Sequence, residues 1–177
     1  MNKIQELALK QRIAKAIKQN KATRKTPNFH EAKEIGLLFY TESPDQFEEM
    51  NLFYRLLKNE GKKVEALTFF VLKNDSPYNF PYHFITEADI TWDGKINSDN
   101  ASLFIEKKFD FLFCVCTKHL LVFDYLLAKS QAYCRVGSFQ DSAIDFFELL
   151  VAAETSQTEG EIIEMMLKTT QAITNNG

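Results

Sequence analysis

The stretch IGLLFYTESPDQFEEMNLFYRLLKNEGKKVEALTFFVL, residues 35–72, decides the fold. Residues 35–40 are apolar on both faces, as in a central strand of a parallel sheet. Ser43-Pro44-Asp45-Gln46 then opens a helix with three agreeing signals: Ser43 can cap, Pro44 sits at the first helical position, and Gln46 can reach back to complete a capping box. Phe47, Met50, Phe53, Tyr54 and Leu57 line one side of that helix, and Gly61 closes it. Residues 64–72 form a second apolar run. Strand, helix and strand in this order make a βαβ unit with a right-handed crossover.

Downstream, 73–81 is a polar loop holding two of the four prolines. Residues 82–96 read as a short strand followed by an Asp93-Gly94 turn. A helix over 98–107, a buried strand over 109–116, a helix over 118–130 and a strand over 132–136 follow. Residues 143–152 are long enough for a helix, but an apolar run bounded by polar stretches favours a strand. Thr158-Glu159-Gly160-Glu161 is a second capping box and opens a last helix on Ile162, Ile163, Met166, Leu167 and Ile173. Upstream, 3–22 reads as a helix with Leu9, Ile13, Ala16 and Ile17 in one apolar stripe, while Ile4, Leu7 and Ala8 fall on the other side. The class is α/β: a three-layer Rossmann-like domain with a mainly parallel sheet over 28–177, preceded by a basic helical arm over 1–27.

The 177 residues suffice for one domain with a proper core. With 45% apolar and 25% charged residues, the chain is not of a disordered, collagen-like or disulfide-framework type. Its six glycines are never closer than 17 residues, so neither a P-loop nor GxGxxG can be built. The longest apolar run is the six residues 111–116, against the ~18–20 that a membrane span needs. Three cysteines without a signal peptide point to reduced thiols and a cytoplasmic protein. The net charge of −3 conceals an asymmetry. Residues 1–25 carry eight basic side chains and one acidic, for +7, whereas the remainder carries 13 basic and 23 acidic, for −10. An arm of that sign either folds back on its own acidic body or meets an anionic partner such as RNA or a lipid surface.

Asp89-Ile90-Thr91-Trp92-Asp93-Gly94-Lys95, with the Gly61-Lys62-Lys63-Val64 junction before it, resembles an uncharacterised family of small bacterial proteins known only as a domain of unknown function. Members carry an Asp-aliphatic-Asn-Trp-x-Gly-Lys segment between strands, and Thr91 stands here in place of the Asn. The likeness in length and element order covers most of 30–175 and implies no known activity. A second segment set is similar to the N-terminal Rossmann-like half of heptosyltransferase-type sugar transferases. It comprises Phe109-Asp110-Phe111-Leu112, the run from Leu126 to Ala132, and Arg135-Val136-Gly137. It implies the fold more than the reaction. Such enzymes close on a second Rossmann-like domain, for which this chain has no room, and carry a Gly-Asp pair whose acid serves as base. Here that position reads Thr41-Glu42-Ser43, and Glu42 does not inherit the role.

Ligands of open α/β sheets bind beyond the carboxyl ends of the strands, where the strand order reverses. If the 35–40 and 109–116 strands are neighbours, Thr41-Glu42-Ser43 and Thr117-Lys118-His119 line that crevice. Lys118 and His119 would occupy the first turn of a helix, where the macrodipole disfavours each cation by ~0.3–1 kcal/mol. Such a conflict, beside free N–H groups, suits a phosphate or carboxylate. Ser43, Thr117, Lys118 and His119 are therefore the candidate anion-binding residues; the alternative is that the side chains face water or acidic neighbours. Trp92 is a candidate for stacking on a ligand, against a place in the core or an interface.

Cys114 and Cys116 fall on one side of a strand, with Cys134 on a neighbouring strand and His119 just beyond. Their spacing is not that of a zinc site, so no metal is assigned. With neither HExxH nor GxSxG, no catalytic residue and no cofactor are assigned either. The 16 phenylalanines leave a homo-dimer open. The sequence thus reads as a non-catalytic Rossmann-like binding or assembly module. The alternatives are a degenerate glycosyltransferase-like enzyme or small-anion or nucleotide binder at 117–119, and an RNA- or membrane-surface-associated protein acting through its basic helix.

Overall fold

The computed structural model describes residues 1–70, 82–138, 144–153 and 157–173. The strands are β1 (Glu34–Thr41), β2 (Lys63–Phe70), β3 (His83–Ile85), β4 (Phe111–Val115), β5 (Cys134–Ser138) and β6 (Leu149–Val151). They form one sheet in the order β3-β2-β1-β4-β5-β6, and all five pairings are parallel. The βαβ opening stands, and β1 and β4 are neighbours as the crevice required. Every residue of β4 is buried, as is every residue of β1 after Glu34.

Alternation along these strands feeds two cores. Ile35, Leu37 and Phe39 of β1 join Phe111, Phe113 and Val115 of β4 beneath α2 (Pro44–Asn59) and α5 (Glu159–Gln171). Leu38 and Tyr40 join Leu112, Cys114 and Cys116 on the opposite face, beneath α3 (Asp99–Glu106) and α4 (Leu121–Lys129). The architecture is the three-layer, Rossmann-like one expected.

α1 (Lys3–Gln19) belongs to the second core, to which it contributes Leu9 and Ile13. α4 is buried from Val122 through Ala128, so both its sides need cover. The sheet supplies one and α1 the other. Asn2 starts α1 with a capping box shared with Gln5, whose amide also donates to the Ile90 carbonyl at 3.1 Å. The turn at 91–95 clamps α1 from the side. Arg12 reaches the Asp93 carboxylate and donates to the Asp93 carbonyl at 2.8 Å. The arm thus packs on its own domain.

Several expected boundaries move. α1 ends at Gln19 instead of 22, with Ile17 exposed. Gln46 accepts from the Glu42 amide at 2.8 Å, one residue before the cap, while Ser43 caps as expected. The expected strand over 64–72 begins at Lys63 and its described part ends at Phe70; residues 71–81, with the expected loop, lie outside the described residues. Strand 132–136 becomes Cys134–Ser138. The 144–152 stretch divides into a 3₁₀ turn and the short β6, because Glu148 between them is taken by Arg135. The helix expected over 118–130 starts only at Leu121. Residues 117–118 form a bend in which the Cys116 thiol donates to the Lys118 carbonyl, so neither Lys118 nor His119 meets the macrodipole of a first turn.

Gly94 makes the α1 clamp possible. Its φ of +74° is one that side chains other than glycine adopt at a cost. A Cβ there would also stand 2.5 Å from the Leu9 nitrogen and 2.8 Å from the Ala8 carbonyl carbon, both main-chain atoms that cannot swing away. Gly61 has a similar φ of +78° with nothing within 4 Å of a built Cβ. Gly61→Ala should therefore cost about 1–2 kcal/mol. Gly94→Ala should cost roughly twice that and expose α1 to proteolysis. Chemical denaturation and limited proteolysis of the two variants check the difference; equal losses would mean that the close approach at Gly94 carries no weight.

Candidate functional site

At the carboxyl edge of the sheet the chain leaves β1 through Thr41-Glu42-Ser43 and leaves β4 through Cys116-Thr117-Lys118-His119. The structure brings the candidate anion-binding residues to this edge and gives each a partner from the chain itself. Ser43 is engaged by capping, accepting from the Gln46 amide at 3.3 Å. Thr117 donates to Glu159 at 3.1 Å, and Gln46 donates to the same carboxylate oxygen at 2.9 Å. Glu159 thus ties the start of α5 to the exit of β4 and to the first turn of α2.

Lys118 pairs with Glu42 and lies 5.3 Å from the centre of the Tyr40 ring. That ammonium holds the Glu42 carboxyl below its ordinary range, with the Tyr40 hydroxyl helping. His119 meets Asp124 through Nε2 at 2.7 Å. Burial raises the Asp124 carboxyl above its usual range, and the His119 contact partly opposes that rise.

The helix starts here also draw partners from the chain itself. Gln46 takes the amide of Glu42 at the entrance to α2. Thr158 and Glu161 form the expected capping box at α5, and Glu49 accepts from the Gly160 amide at 2.8 Å. A phosphate arriving at either terminus would find the Gln46, Gly160 and Glu161 amides already bonded and the carboxylates of Glu42, Glu49 and Glu159 close by.

Two hollows flank His119. One, lined by Cys114, Cys116, His119, Asp124 and Ser138, has about 30 Å³, room for about one or two waters. The other, of about 300 Å³, lies between the first turns of α1 and the start of α4, over Phe69 and Ile90. Cys116, His119 and Asp124 share the smaller hollow, yet the thiol is not prepared as a nucleophile. Burial pushes Cys116 up to about 12, and its hydrogen bond runs to a carbonyl. Cys134 faces the other core, apart from Cys114 and Cys116, so the three thiols do not converge. Among the described residues no group of three metal-ligating side chains is present.

Trp92 stands on the turn clamped to α1 and is 78% exposed. It belongs to neither core. Glu42 stands in the sequence as the one carboxylate near the crevice, and Asp124 is legible as the first acid after His119 on the same connection. Glu159 and Glu49 carry no such local signal, since 42 and 111 positions separate them from Thr117 and Gly160.

The sequence model of a family of unknown function, DUF6913, matches residues 5–169. The chain belongs to this family. The matched span runs from within α1 to within α5, taking in the clamp, the crevice and all six strands of DUF6913's unit here. This agrees with the expected kinship to an uncharacterised family and adds no activity. No curated protein and no solved structure matches the chain.

The thiols offer a direct check on the site. With Cys116 and Cys134 raised to about 12 by burial, their thiolate near pH 8 is about one part in ten thousand at equilibrium, and burial raises Cys114 as well. The folded protein should leave a disulfide reagent such as Ellman's unreacted at pH 8, and all three thiols should react after denaturation. Rapid reaction of Cys114 or Cys116 in the folded state would show an activated cysteine at this edge.

Proposed function

We propose that this protein is a non-catalytic Rossmann-like module that works by binding or assembly, with its working surface outside the carboxyl-edge crevice. One observation carries this reading: the polar groups that could serve a substrate there are committed to one another. Lys118 is held by Glu42, His119 by Asp124, Thr117 by Glu159 and Ser43 by its own helix. A catalytic edge usually presents at least one base, nucleophile or anion hole that is pre-organised toward empty space.

The competing small-anion or nucleotide reading, with its glycosyltransferase-like variant, requires Lys118 and His119 to leave their carboxylates for a ligand. Thermal-shift measurements with inorganic phosphate, nucleotides and free sugars should show no stabilisation, and sugar nucleotides and phosphoesters should not turn over above background. Turnover that disappears in Lys118→Ala and His119→Ala would overturn the proposal and locate an active edge.

A second reading rests on a separate observation. Of the eight basic side chains in residues 1–25, only Arg12 and Arg24 form ion pairs with carboxylates among the described residues, to Asp93 and Glu148. The arm is folded onto its domain by apolar burial while most of its charge is left for an outside, anionic surface.

A further inference from the structure

α1 has two dissimilar sides. One buries Leu9 and Ile13 over α4. The other holds aliphatic side chains in the open, with Ile4 70% and Leu7 61% exposed. At about 3.6 residues per turn, Ile4, Leu7, Gln11, Ala14 and Lys18 share one outer stripe, with Lys3 and Lys10 along one margin and Lys15 along the other. These four lysines are exposed and form no ion pair among the described residues. Trp92, on the turn fixed to α1 by Gly94 and Arg12, adds an exposed aromatic ring to the same helix assembly.

We infer that this face is a docking surface for an anionic lipid bilayer, on which α1 lies in the plane of the interface. The inference rests on the second reading above and names its partner. Charge complementarity selects an anionic surface, and the side chains between the lysines select its kind. Nucleic acid would use the lysines on its phosphates but offers little to Ile4 and Leu7, whose exposure costs free energy in water. A bilayer takes both: ammonium groups settle among anionic headgroups while short aliphatic side chains and a tryptophan enter the boundary with the acyl region. The −10 charge of the remaining chain orients the approach, since an anionic membrane repels the body and attracts only the arm.

Trp92 is the one tryptophan in the chain, so its emission reports on the turn clamped beside α1. The full chain is mixed with vesicles of phosphatidylcholine containing phosphatidylglycerol, and separately with phosphatidylcholine alone. Binding is read by co-sedimentation and by Trp92 fluorescence. The expected result is binding to the mixed vesicles only, a blue shift of the emission, and weakening at high salt. Changing Lys3, Lys10, Lys15 and Lys18 to Gln should lower the partition coefficient roughly fivefold per lysine at low salt.

The double variant Ile4→Asn, Leu7→Asn should lose binding tenfold or more while keeping its circular dichroism and melting temperature, because neither side chain is packed. Sedimentation without a blue shift, or no sedimentation with the mixed vesicles, would overturn the lipid inference. If the mixed vesicles failed but single-stranded RNA bound through the same lysines, the anionic-docking reading would survive and lipid would be the wrong partner. If neither bound, and Leu7→Asn abolished a dimer seen by light scattering, both would fall in favour of a second copy of the chain.

Discussion

The constraint on which the rest depends is that β1 and β4 are apolar on both faces. A strand of that kind is stable only with cover above and below, and the cover must come from helices if the strands are to run in parallel. The sequence meets this demand with phenylalanine. Phe39, Phe111 and Phe113 fill one face at or below 1% exposure, while Leu38 and Leu112 fill the other. Burying each such side chain contributes about 1.5–3 kcal/mol. Two adjacent strands of this composition therefore supply much of the drive for the fold. They also fix its geometry, since right-handed crossovers to either side of β1 place the reversal of strand order between β1 and β4.

That reversal creates a crevice whether or not a protein uses it. Here the chain fills it with side-chain bonds. Glu159 receives Thr117 and Gln46, Glu49 receives the Gly160 amide, and Glu42 holds Lys118. Each of these bonds is partly exposed and individually modest, worth about 0.5–1.5 kcal/mol if neutral and little more where solvent screens a charge. Their common effect is positional: α2, α5 and the exit of β4 are stitched together where a ligand would otherwise separate them.

The strands and most helices were legible because their signals are local. Ser43, Ser98 and Thr158 cap the helices that follow them, and the 109–116 run admits no amphipathic reading. The start of α4 was not legible. Leu120 caps without a side-chain bond, and the bend before it depends on the Cys116 thiol reaching a carbonyl two residues ahead. Residues 143–152 were ambiguous for a related reason: the Arg135–Glu148 pair that sets the edge of β6 joins residues 13 positions apart, and no periodicity encodes it. At the crevice, sequence pattern brought Ser43, Thr117, Lys118 and His119 to one edge but left their partners undetermined. Whether a lysine at such an edge faces a ligand or a glutamate is decided by tertiary packing.

The arm shows the same division of labour in reverse. Its charge pattern left open whether it folds back on the acidic body or meets an anionic partner, yet α4 is buried around its circumference and would be left half-solvated without Leu9 and Ile13 above it. Packing therefore makes α1 part of the domain, and the turn at Gly94 sets its angle. Once the inner side of a helix is committed in this way, the composition of its outer side is free of any folding requirement. Exposed isoleucine and leucine there gain nothing for the fold, and lysines without carboxylates gain nothing from ion pairing. An outer face that keeps aliphatic and cationic side chains together, on a domain otherwise acidic, is the feature that the proposed docking on an apolar and anionic surface is built on.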